Sequence, residues 1–336
     1  MYDGDELAVL PPELLPNSLE TLAACLEPSG GAIRETFQPL LTCPEWDPVA
    51  LAPLAGNALG RIRDFCGTPV RIETDPGETP MNRENDKALY IFRASGIPAW
   101  VLARSTTQAY VEFLDELVTA GTDLAAADVG CIQQQFMVML TLLSGESARY
   151  DVEQEALLSA PPLDLGRHDP LRRWVRGHHV FMVILQWQVI LFQCFRHQVE
   201  QFGGGEPGCE LLKLLILTLR AALQAFRFTA EFSSDAYAQL VRPTLMPPAA
   251  PAGMSGLNWR DHQYLLKSLT KLDDAFGDAD GTIRRLYAML KAELRRVYDA
   301  HKYVCARFVG AEASLLSKNS AVGIIDRLKE QRSRLL

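Results

Sequence analysis

His301 and Cys305 have the side chains and the spacing to hold a flat, metal-bearing cofactor. Residues at i and i+4 of an α-helix share a face, with Cβ atoms about 5–6 Å apart. An imidazole nitrogen can bind iron at the centre of a macrocycle while a thiol one turn along reaches the edge and adds to a vinyl group. One helix would then supply both an axial ligand and a thioether tether. The usual haem-attachment signature, C-x-x-C-H, does not occur in the chain. On residue types alone the competing reading is packing, because a histidine and a cysteine on an apolar helix face are commonly core residues.

The element that must position this pair runs from Gly281 to Gly310. Ile283, Leu286, Leu290, Leu294, Val297, Val304 and Phe308 recur at three-and-four spacing, which draws one buried stripe on a 3.6-residue period. Asp280-Gly281-Thr282 supplies start signals, Gly310 a stop, and no proline interrupts the run.

His301-Lys-Tyr-Val-Cys305 resembles the H-x-x-x-C motif of the 3-methyl-L-tyrosine peroxygenases, haem enzymes of saframycin-type antibiotic pathways, in which a second histidine stands well upstream on another helix. The matching candidate is His262, in Asn258-Trp-Arg-Asp-His262-Gln-Tyr, 39 positions before His301; the other four histidines all precede residue 198. The stretch carrying the resemblance, residues 258–310, is roughly a sixth of the chain.

The resemblance implies a mainly α fold of the tryptophan 2,3-dioxygenase-like kind, a helical bundle enclosing a haem. It implies iron ligation by His301 and, in the resting state, by His262, with a single c-type thioether to Cys305. It further implies hydrogen peroxide as oxidant and ring hydroxylation of a small aromatic amino acid, 3-methyl-L-tyrosine, to 3-hydroxy-5-methyl-L-tyrosine. Peroxide must reach the iron, so one axial histidine has to leave. His301 is tied to the macrocycle through its own helix, whereas His262 carries no such constraint and follows a proline-rich connection. His262 is therefore assigned as the departing ligand and as the catalytic acid–base group once released. Asp261 is expected to be a solvated or helix-capping acid, Trp259 a core or cofactor-wall residue. Arg260 and Arg307 are possible partners of haem propionates, with surface exposure the favoured reading.

Readings from other classes share some of these features. A haem hydroxylase of unmethylated tyrosine would keep the ligands and change the pocket near the ring; an indole dioxygenase would use oxygen instead of peroxide. A haem-binding sensor, or a haem-free module of packed helices, would need no substrate at all.

The 336 residues carry a formal net charge of −8, with 48% hydrophobic and 22% charged residues, which argues against nucleic acid or an anionic membrane as partner and for a small ligand. The oligomeric state is not legible. An acidic start and seven cysteines without paired spacing point to the reducing cytoplasm. Residues 1–105 are expected to form an N-terminal arm with a small antiparallel β element near 69–104, its strands at Pro69–Thr74, Ala88–Ala94 and Ala99–Arg104, the last two paired. Residues 106–336 are expected to form the helical haem-binding core.

Helical patterns cover Ser18–Leu26, Ala32–Leu41, Thr107–Ala120, Ala125–Leu143, Val152–Ser159, Pro170–Gln201, Cys209–Phe232, Asp235–Val241 and Asn258–Phe276, with a tail helix from about Gly323. The segment Gly177–Phe195 has no charged residue, but its histidines and glutamines and its flanking arginines fit a buried central helix better than a membrane span. The adjacent pair His178 and His179 should divide between core and surface, since neighbours point to different helix faces. Gly203–Gly208 matches G-x-G-x-x-G but follows a helix, and Asp278–Gly281 imitates an EF-hand without residues that can complete it.

Overall fold

The computed structural model describes residues 2–29, 31–44, 46–252, 259–269, 281–309, 325–326 and 329–330. In chain order the elements are β1 (Leu7–Val9), α1 (Leu19–Leu26), α2 (Ala32–Leu41), α3 (Pro48–Cys66), β2 (Val70–Arg71), α4 (Pro80–Ala88), β3 (Ile91–Ser95), α5 (Pro98–Ala120), α6 (Ala126–Leu143), α7 (Pro170–Phe202) and α8 (Gly205–Thr229). After α8 come a short α9 (Ser234–Ala236), a π-turn (Tyr237–Val241) and a 3₁₀ turn (Arg242–Leu245), then α10 (Arg260–Leu269) and α11 (Gly281–Val309). The architecture is mainly α, with one small sheet.

Prolines start helices here more often than they break them. Pro48, Pro80, Pro98 and Pro170 each stand in a first turn, where a missing N–H costs nothing. Asp47, Thr79 and Asp169 complete three of these starts by accepting N–H bonds from the first turn. That is why α3 and α4 were not visible as helices in a proline-punctuated arm, and why Ala99–Arg104, rich in strand formers, lies inside the 23-residue α5. Val152–Ser159 is irregular instead of helical and runs so close over α6 that a Cβ on Gly130 would lie 2.0 Å from the Ala156 carbonyl oxygen. The tail helix expected from Gly323, and the end of the one expected over Asn258–Phe276, lie mostly outside the described residues.

The sheet corrects the expected one. It is mixed, in the order β1-β3-β2, with β1 parallel to β3 (Leu7 opposite Ile91) and β2 antiparallel to it (Val70 opposite Ser95). The central strand takes its partner from the first ten residues, not from the segment that follows it. Leu7–Leu10 are essentially fully buried, so this stretch is part of the core.

α7 is the spine, packed against α5, α8 and α10, while α11 packs on α8. Its apolar window is 89% buried within the protein, which accounts for its composition without a membrane. Near its start Arg173 has no exposed surface and donates to Glu116 (3.0 Å), Glu231 (2.9 Å) and the Gly121 carbonyl (2.7 Å), tying α5, α7 and the end of α8 together. Removing one partner of a buried ion cluster leaves the others uncompensated. Arg173→Met should therefore lower stability by about 3–5 kcal/mol in urea denaturation; a loss below about 1 kcal/mol would show the cluster to be dispensable.

Candidate active site

Trp174, His178 and Phe181 fall at i, i+4 and i+7 of α7 and form one row. The Nδ1 of His178 is 2.7 Å from the Trp174 carbonyl oxygen, which can only accept, so the proton sits on Nδ1 and Nε2 keeps its lone pair. Burial pushes this imidazole down to about 4, so it is neutral near pH 7. Beside it, a Cβ on Gly177 would lie 2.3 Å from Thr229 Oγ1: glycine is what lets α7 and α8 approach this closely.

On α8, Phe226 continues the row, 4.4 Å from the Phe181 ring and 5.0 Å from that of His301, to which it is nearly parallel at 17°. His301 is thus held face-on by an aromatic ring. One turn further along α11, Cys305 is partly buried, and burial pushes its thiol up to about 11, so it is protonated. Phe308, stacked nearly parallel to the rings of Tyr237 (4.6 Å) and Phe232 (5.1 Å), closes this end.

The second side is α10. Trp259, just before it, is buried with its ring 6.0 Å from His178 and 6.4 Å from Phe181. His262 follows three residues later, in the first turn of α10. α10 lies on α7 and α11 on α8, and among the described residues the two histidine-bearing helices do not pack closely on each other. His301 of α11 and Trp259, just before α10, each meet the row Trp174, His178, Phe181, Phe226.

These residues suit a haem. His301 and His262 are the side chains that could ligate its iron, and among the described residues no group of three or more His, Cys, Asp or Glu is gathered at one place. The walls are aromatic and flat. Two indole N–H groups, Trp174 Nε1 and Trp259 Nε1, are buried with no protein partner, donors available to a bound group.

A family model described as SfmD 3-methyl-L-tyrosine peroxygenase matches residues 8–295. The chain belongs to this peroxygenase family. The matched stretch includes His262 and stops just short of His301 and Cys305. Across 96% of the chain it is 34% identical to the 3-methyl-L-tyrosine peroxygenase of Streptomyces lavendulae, spanning 88% of that protein. A crystal structure of reduced SfmD, soaked with sodium hydrosulfite, superposes with a TM-score of 0.71 at 30% identity, covering 89% of this chain and 96% of the other.

In this member of the peroxygenase family several expected positions are corrected. Asp261 is neither solvated nor a cap: it has no exposed surface and pairs with Arg93 at 2.6 Å. Arg260 is largely covered instead of exposed, held by Glu13 (2.6 Å) and Asp75 (2.5 Å); Arg307 is exposed, as expected, and donates to the Phe232 carbonyl at 2.9 Å. Of the histidine pair, neither is on the surface. His179 is fully buried between Glu112 (2.7 Å) and the Leu89 carbonyl (2.8 Å), and His178 faces the aromatic row. His178, Trp174, Phe181 and Phe226 were missed because their meeting with His301 is a matter of tertiary structure; the Trp174-x-x-x-His178-x-x-Phe181 spacing was the available signal.

Proposed function

We propose that this chain is a haem-dependent peroxygenase that hydroxylates the ring of 3-methyl-L-tyrosine, next to the phenol, to 3-hydroxy-5-methyl-L-tyrosine. Hydrogen peroxide gives one oxygen atom to the new hydroxyl and leaves with the other as water. The observation that carries the reading is that His301, with Cys305 one turn on, and Trp259, at the start of the segment that bears His262, border the same aromatic row from two sides. The membership of the family supports the substrate, and a related protein prepared in a reduced state with sodium hydrosulfite supports a redox-active centre.

When bound, haem supplies the oxidising chemistry, and the protein supplies ligation, orientation and electrostatics. His301 would hold the haem iron throughout, its ring plane set by Phe226. Cys305, a partly buried and protonated thiol, would tether the group by adding its S–H across a vinyl double bond, sulfur to one carbon and hydrogen to the next. His262 would hold the iron in the resting state and, once off it, its imidazole would take a proton from peroxide and return it to the departing oxygen. The aromatic side chains exclude water and offer faces to the substrate ring. None of the seven cysteines is in a disulfide, and a thiol that must stay reduced until haem arrives favours the cytoplasm.

The test is an absorption spectrum before and after acid–acetone extraction. A Soret band that stays with the polypeptide after denaturation is expected, as are loss of that retention in Cys305→Ala and its persistence in Cys194→Ala, which alters a buried thiol on α7. Haem that extracts completely from wild type removes the tether, and the absence of any Soret band removes the haem reading. Turnover of 3-methyl-L-tyrosine with peroxide but not with oxygen alone separates a peroxygenase from a dioxygenase.

A further inference from the structure

The residues immediately before His262 are fastened to the other end of the chain. The Arg260 backbone N–H donates to Asn82 Oδ1 at 2.7 Å, so α4 caps the first turn of α10. The Arg260 guanidinium reaches Glu13 Oε2 (2.6 Å) on one side and Asp75 Oδ2 (2.5 Å) on the other. Asp261 points the opposite way, into the core, where Arg93 of β3 pairs with it at 2.6 Å and Gln186 of α7 donates to it at 2.9 Å. Arg93 is itself held by Asp86 (2.9 Å) and the Leu10 carbonyl (3.1 Å), and Gln186 by the same carbonyl (2.7 Å).

Asp261 has no exposed surface, and its pairing with Arg93, which Asp86 holds from the other side, is more than the end of a surface-accessible helix requires. Displacing one member of a buried ionic cluster leaves the others uncompensated, so the cluster resists movement of the backbone that carries it. A clasp made of a backbone cap, an outer ion pair and an inner ion pair leaves α10 little freedom to swing at the turn that carries His262.

We infer that Asp261, seconded by Arg260, is a positioning residue for His262: the N-terminal region grips the start of α10 and thereby sets how often the His262 imidazole sits on the iron. The inference rests on His262 being an iron ligand. It makes ligand release a rotation of the His262 side chain on a fixed helix start, with the clasp tuning the balance between bound and released states. It also gives the first ten residues and β3 a part in the chemistry, through the strand pairing that places Leu10 and Arg93 together.

The experiment uses the haem-loaded full chain. Asp261→Asn and Arg260→Gln are compared with wild type, with His262→Ala and with the double variant Asp261→Asn/His262→Ala, reading covalently retained haem, the ferric low-spin fraction and the affinity for azide. Apparent azide affinity scales with the fraction of protein whose iron is open, so a rise of that fraction from roughly 1% to roughly 10% tightens binding about tenfold. Asp261→Asn should retain covalent haem, lose low-spin character and bind azide about tenfold more tightly, with a smaller change in the same direction for Arg260→Gln. In the His262→Ala background the Asp261 substitution should add nothing, since its effect acts through that histidine.

Wild-type spectra and azide affinity in both clasp variants, beside a changed His262→Ala, overturn the clasp alone. An Asp261 effect that persists without His262 overturns it also, showing general loosening of the pocket. An unchanged spectrum in His262→Ala sinks the ligand reading and the inference with it. If Asp261→Asn does not fold, Arg260→Gln, whose contacts lie at the periphery, decides the question by the same readouts.

Discussion

His301→Ala should yield a folded protein in which haem incorporation, thioether formation and hydroxylation are lost together. The three losses share one cause. The Cys305 thiol meets a vinyl group only if the macrocycle is anchored over α11 in one orientation, and the imidazole one turn earlier, stacked on Phe226, is the proposed anchor. Without it the thiol and the vinyl group meet by chance, and covalent attachment should fall about tenfold or more as that proximity is lost. Circular dichroism and urea denaturation establish that the fold persists, and mass spectrometry of the denatured chain counts attached haem. Full attachment with a wild-type spectrum in His301→Ala would mean that another residue ligates the iron, and His178, whose Nε2 lone pair is free of its proton and which neighbours the same row, would be the first to examine.

His262→Ala should behave in the opposite way toward haem and in the same way toward activity. The covalent haem stays, because neither His301 nor Cys305 is touched. The ferric spectrum moves from six-coordinate low spin toward an open or water-filled sixth position, and small anions bind more readily. Hydroxylation with peroxide nevertheless drops by about 10²–10⁴-fold, the usual contribution of a positioned acid–base group. The combination separates a switching catalytic ligand from a passive one. A changed spin state with normal or faster peroxide-driven turnover removes the acid–base role, and an unchanged spin state removes the ligand role.

The structure bears on where the proposed switch would find its freedom. Mobility in the proline-rich connection before His262 is the natural source of freedom to a reader of the sequence, but 253–258 lie outside the described residues, and the part before them is docked, with Leu245 and Ala250 buried. The clasp on Arg260 and Asp261 acts after the connection and directly beside the histidine, so freedom is to be sought in the side chain.

What the sequence by itself determined is what is local. That His301 and Cys305 share a helix face follows from 3.6 residues per turn, and α11 from Gly281 to Val309 follows from its apolar stripe and its lack of proline. The long α7, α1 and α2 were legible for the same reason, as was a mainly α fold. Where local signals had two meanings, tertiary structure chose between them: prolines that punctuate an arm also open α3, α4 and α5, and strand formers at Ala99–Arg104 became helix because Pro98 starts one there and the buried positions of α5 continue through them. Only the fold decided that β3 pairs with residues some eighty positions upstream, that Asp261 is buried against Arg93, and that His178 and Phe226 face His301. Those outcomes depend on which elements pack together across long sequence separations, and burial then sets the chemistry: it holds His178 neutral, keeps Cys305 a thiol, and turns an acid that reads as a solvated cap into the inner half of an ion pair.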